Sequence, residues 1–207
     1  MQRMLILAAA IALGLGFATG AIAQTTPTTS SPVATPRAHN AATETGRDVD
    51  QQQRIEQGLK SGQLSSGEAR KLETGEARID KTEQRDLRNG SLSASERAQI
   101  QRQQNRENKT IYRDKHNARI GNPDSLKSNL EQADVQRNVN QEKRLHNGVT
   151  NGSLTNRELG RQEGNQAHTD RMEARHDTLR STARVQRTDN RDSKRIYRAK
   201  HNHRARY

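Results

Sequence analysis

Val49-Asp-Gln-Gln-Gln-Arg-Ile-Glu-Gln-Gly-Leu59 returns as Val139-Asn-Gln-Glu-Lys-Arg-Leu-His-Asn-Gly-Val149, about 90 residues further on. The match continues through Gly62/Gly152, Leu64/Leu154, Ser65/Thr155, Glu68/Glu158 and Glu73/Glu163. Beyond these the offset falls to about 85. There Ile100-Gln-Arg aligns with Val185-Gln-Arg, and Asn105-Arg-Glu-Asn-Lys-Thr-Ile-Tyr-Arg-Asp-Lys-His-Asn117 aligns with Asn190-Arg-Asp-Ser-Lys-Arg-Ile-Tyr-Arg-Ala-Lys-His-Asn202. An internal repeat of this kind signals an array of like units. It predicts one module over 49–119, a second over 139–204, and a linker and helix over 120–138.

Within the modules, Asn89-Gly-Ser-Leu-Ser-Ala-Ser-Glu96 echoes Ser61-Gly-Gln-Leu-Ser-Ser-Gly-Glu68 and Asn151-Gly-Ser-Leu-Thr-Asn-Arg-Glu158. The glycine can turn the chain with positive φ. Ser or Thr with Glu three residues later is a capping box, in which the hydroxyl takes an exposed amide and the Glu reaches back. Each copy therefore reads as helix, tight turn, capped helix. Gln, Arg, Glu, Lys and Ala dominate elsewhere and favour helix. Helices are predicted over 48–60, 66–88, 94–117, 125–147, 156–178 and 180–202. The expected fold is all-α: tandem helix–turn–helix repeats, loosely packed because apolar positions such as Leu72, Ile79 and Leu87 are sparse.

The N-terminus reads as an export signal. Arg3 precedes an uncharged apolar run from Met4 to Phe17, and Ala21 and Ala23 supply small residues for cleavage before Gln24. Residues 1–23 are the expected signal peptide, cleaved after Ala23, and the location is periplasmic or secreted. Residues 24–47, with Pro27, Pro32 and Pro36, are expected to be a disordered linker. There is no cysteine, which excludes disulfides. After residue 23 the chain holds about two dozen Leu, Ile, Val and Met, well under the level of about 20% below which disorder is expected. That argues against a compact enzyme with a dry pocket. The formal charge of +12 favours acidic partners.

Three groups of residues invite a chemical reading. The turns resemble positions 5 to 12 of an EF-hand calcium loop, with Glu96 and its counterparts at position 12. Positions 1 and 3, however, would be Gln57 and Leu59, Arg85 and Leu87, or Asn147 and Val149, none of them acidic. The expectation is a structural hairpin; weak calcium binding is the alternative. Secondly, Arg180, Arg184, Arg187, Arg191, Lys194 and Arg198 recur at steps of four and three, which gathers them on one helix face. Arg102, Arg106, Lys109 and Arg113 keep part of that stripe in the first module. These ten residues are the candidate polyanion contacts, facing nucleic acid or an envelope surface. Tyr112 and Tyr197 are candidate stacking residues beside them. Thirdly, His116, His176, His201 and His203 lack the spacing of a metal site, so no metal ligand and no cofactor is expected. Glu73 with Glu76, and Glu83 with Asp86, read as surface charge, and no catalytic motif is present.

Taken together, the signal segment, RIEQGLKSGQLSSGEARKLE, NGSLSASE, KTIYRDKHN and their second copies resemble a group of small secreted or periplasmic repeat proteins of Gram-negative proteobacteria. The resemblance implies an exported location and supplies no functional residues. The functional expectation is an exported, basic, non-enzymatic helical protein that contacts polyanions. A structural or chaperone-like module is the other alternative.

Overall fold

Three Gly-x-Leu-Ser/Thr-x-x-Glu turns punctuate the chain, and each does what its residues dictate. Gly62, Gly90 and Gly152 have φ of 72°, 86° and 72°, in the left-handed region that favours glycine. At the caps, the hydroxyls of Ser65, Ser93 and Thr155 accept an N–H from Glu68, Glu96 and Glu158, whose carboxylates accept the cap amide in return. Leu64 then folds back so closely that a Cβ on Gly58 would lie 2.6 Å from its Cδ1, and Leu154 approaches Gly148 in the same way at 2.5 Å. The Leu64 amide donates to the Gly58 carbonyl at 2.9 Å, and Leu154 to Gly148 at 2.7 Å.

The structure, a computed structural model, describes residues 36–175 and 179–202. The expected signal peptide and the linker up to residue 35 lie outside the described residues, as do His176 and His203. Six helices form: α1 Pro36–Lys60, α2 Ser66–Asp86, α3 Ala94–Lys115, α4 Leu126–Thr150, α5 Asn156–Glu173 and α6 Leu179–Lys200. A 3-10 turn over Leu87–Asn89 extends α2. The all-α expectation holds, and no strand occurs among the described residues.

Two expectations need correction. Residues 36–47, assigned to a disordered linker, are the first turns of α1, and Ala41, Glu44 and Thr45 are buried. Pro36 occupies the first helical position, where its missing N–H costs nothing and its fixed φ suits the helix. The helices are also not loosely packed. Ile55, Leu72, Ile100, Ile111, Leu145 and Leu159 are all 0% exposed. α2 lies along α5 and α1 along α4 in the two largest interfaces, while α3 covers α1 and α2, and α6 covers α5 and α4.

The apolar side chains form two clusters. One gathers Ile55, Leu59, Leu64, Leu72, Ile111, Val135 and Val139; the other gathers Ile79, Leu87, Ile100, Leu145, Leu154, Leu159 and Ile196. Each cluster draws on both halves of the sequence, so residues 49–119 and 139–204 share their core. Leu145→Ala is expected to cost about 2–5 kcal/mol, the range for a close-packed site. Denaturant unfolding measures this, and a loss below about 1 kcal/mol would point to an open arrangement instead.

Candidate functional site: a buried carboxylate column and two basic faces

Along α2, Glu73, Glu76, Asp80 and Glu83 fall at i, i+3, i+7 and i+10, so they share one helix face. On α5 the same steps give Glu163, Gln166, Asp170 and Glu173. Because α2 and α5 pack along each other, the two acidic faces meet inside the protein. α1 adds Glu44 and Asp48, and α4 adds Asp134, Asn138 and Glu142, all at 3% exposure or less. This overturns the surface-charge reading of Glu73, Glu76, Glu83 and Asp86, every one of which is buried. The acidic positions run in phase with Leu72 and Ile79, so carboxyls complete a helix face that is sparse in apolar residues.

Among the described residues no Lys or Arg is buried, and cations reach only the rim. Arg137 pairs with Asp134 and, at 2.8 Å, with Asp189, while Arg70 stands 3.9 Å from Glu131. Side-chain amides supply the interior donors. Gln104 on α3 donates to Asp48 at 2.7 Å, Gln52 donates to Glu73 at 3.2 Å, and Asn138 donates to both Glu73 and Glu173 at 3.1 and 2.7 Å. They are too few: both carboxyl oxygens of Glu76 and of Glu163 have no partner. Two ionised carboxylates 4.8 Å apart repel by about 3–4 kcal/mol at an effective dielectric constant near 20, so full ionisation of this column is unfavourable.

The titration of these groups follows. Burial, reinforced by neighbouring carboxyls, pushes Glu76, Glu83, Glu142, Glu163 and Glu173 well above the usual carboxylate range. Burial also raises Glu107 to about 7 and Glu131 to about 8. Burial, with neighbouring carboxyls, likewise raises Asp48 to about 7 and Asp80 well above its ordinary value.

The repeated Ile-Tyr-Arg-x-Lys-His-Asn motif also becomes intelligible. Ile111 and Ile196 are buried at 0% and 1% exposure. Tyr112 and Tyr197 are exposed and stack on His116 and His201, with ring centroids 4.2 and 4.1 Å apart. Nδ1 of each histidine lies 2.7 Å from the carbonyl oxygen of its stacked tyrosine. Asn117 donates to Glu68 at 2.8 Å, and Asn202 donates to Glu158. The cap glutamate of the turn thus anchors the end of the module's last helix. Burial alone would raise the Glu68 carboxyl, but hydrogen bonds from Ser65 and Asn117, with Arg119 nearby, hold it below its ordinary value. Glu68 and Glu158 are committed in this way, whereas Glu96 meets only its own cap residue Ser93; Leu59, Leu87 and Val149, at loop position 3, are buried.

The predicted basic positions lie on the outside. Arg102, Arg106, Lys109 and Arg113 are exposed on α3, and Arg184, Arg187, Arg191, Lys194 and Arg198 are exposed on α6. The Arg180 side chain lies outside the described residues. Val185, Asp189, Asp192 and Ile196 turn the other face of α6 inward. The two stripes belong to different helices, α3 and α6.

Stability should depend on pH in an unusual direction. The folded chain holds protons that unfolded carboxylates, with pKa near 4, release. In a chelator-containing buffer, stability is expected to be greatest near pH 4–5 and to fall as the pH rises to about 8. Glu76→Gln should stabilise the protein at pH 8 and reduce that slope, as read by thermal melts across the range. No family model, curated protein or solved structure matches the chain.

Proposed function

We propose that this is an exported, non-enzymatic helical protein, a tandem duplication of a three-helix unit, that binds polyanions through the exposed faces of α3 and α6. The observation that carries this reading is the segregation of charge. Of 24 acidic residues most are buried, whereas the 36 Lys and Arg contribute none to the described interior. The outer surface is therefore more positive than the formal +12 implies. Exposed, regularly spaced cations attract phosphate or sulfate chains by releasing their counterions.

Further features support the reading. Among the described residues, no ion pair engages Arg102, Arg106, Lys109, Arg184, Arg187, Arg191 or Arg198, so these charges are free to meet a ligand. Tyr112 and Tyr197, 65% and 63% exposed, stand beside the stripes and offer a ring face for stacking. No helix of the described residues is long and apolar enough to cross a membrane.

Binding to heparin and to DNA across a salt series tests the proposal. Affinity is expected to fall steeply with salt. Charge reversal at Arg187, Arg191 and Arg198, all on the outer face, should flatten the slope and leave the melting temperature nearly unchanged. A salt-insensitive response, or an unaltered slope in the reversed variant, would contradict it.

A further inference from the structure

The carboxylate column contains a place where proton sharing alone leaves the chemistry incomplete. Glu73 from α2 and Asp170 and Glu173 from α5 each place a carboxylate oxygen within 4.8 Å of the other two. Their exposures are 0%, 1% and 1%. A cluster of acids is not in itself a site, but here a second observation points to a ligand. Glu73 Oε1, Asp170 Oδ1 and Glu173 Oε1 are all buried with no hydrogen-bond partner. Asn138 from α4 donates to the remaining oxygens of Glu73 and Glu173 and so fixes the two carboxyls relative to each other.

We infer that Glu73, Asp170 and Glu173 form a binding site for a large, hard, multivalent cation of the calcium class. The donor set decides the class. Three carboxylates with no His or Cys suit oxygen-seeking ions rather than zinc or copper. The surroundings are buried and offer further oxygens, since Asn138 Oδ1 and Gln52 Oε1 are also buried and unpartnered. Calcium accepts six to eight oxygens in flexible geometry, whereas magnesium sheds its water reluctantly and demands an octahedron. A neighbouring triad, Asp134, Glu173 and Asp189, already has its counter-charge in Arg137. Glu173 belongs to both groups and joins the cation site to that ion pair.

This site is distinct from the three EF-hand-like turns, and it goes beyond the polyanion reading, which depends only on the outer faces. Because α2 and α5 come from opposite halves of the sequence, a bound cation would tie the halves together.

The test uses the full chain, freed of metal by chelation and then titrated by calorimetry with calcium, magnesium and zinc in turn. Saturable calcium binding is expected, with a melting temperature that climbs with the logarithm of calcium concentration. Magnesium and zinc should bind more weakly. Glu173→Gln and Glu73→Gln should each weaken calcium binding by about tenfold or more, since even outer-shell losses cost that much. Both variants should also melt higher than the wild type without metal, a sign opposite to that of a merely structural contact. Asp50→Asn, on the exposed side of α1, should change neither property. Absence of calcium binding at millimolar concentration, a preference for zinc or magnesium, or full calcium response in both variants would overturn the inference.

Discussion

Repulsion among carboxyl groups governs this protein. Four helices press Asp48, Glu76, Asp80, Glu83, Glu142 and Glu163 together, and among the described residues no lysine or arginine is buried with them. Along α1, α2 and α4 these groups fall between residues of one apolar cluster and residues of the other. The helices cannot separate to relieve the repulsion without exposing Ile55, Leu72, Leu145 and Leu159. The hydrophobic clusters therefore hold closed a core that electrostatics would open, and the balance is set by protons or by a bound cation. Acids ordinarily lower their pKa on folding by finding partners; here burial comes first and partners are too few, so the shift has the opposite sign.

The same constraint explains the outside. Acids withdrawn into the core cannot neutralise the surface: Arg113 and Arg195 pair with Asp114 and Asp192 on their own helices, but Arg102, Arg106, Arg184, Arg187, Arg191 and Arg198 are left to solvent. Interior and exterior are thus two sides of one charge distribution. Whatever neutralises the column stabilises the scaffold that presents the basic faces.

Much of the fold was legible from the repeat. Three turn motifs located the helix boundaries because glycine at positive φ and the capping box are local chemistry, independent of what packs around them. The stripe on α6 was legible because spacing alone puts Arg184, Arg187, Arg191 and Arg198 on one side. The column was not read, although its signal was present. Glu73, Glu76, Asp80 and Glu83 keep the period of a buried face, and the second module repeats it at Glu163, Gln166, Asp170 and Glu173. Acidic residues are almost never fully buried unless paired, and that expectation outweighed the period. Likewise, Pro36 starts a helix where local composition suggests a linker, because the packing of Ala41 and Thr45 against distant helices is invisible to local reading. The role of Asn117 and Asn202, gripping the cap glutamates of turns far away in sequence, could be known only from the fold.

The protonation of the interior is directly observable. Infrared spectra of the folded, chelator-treated protein near pH 7 should contain the carbonyl band of protonated carboxyl groups. That band should vanish on unfolding at the same pH and shrink in Glu76→Gln and in Glu163→Gln. A folded, metal-free protein at pH 7 with only ionised carboxylates would contradict the account, since it would mean that the charges of the column meet no serious repulsion.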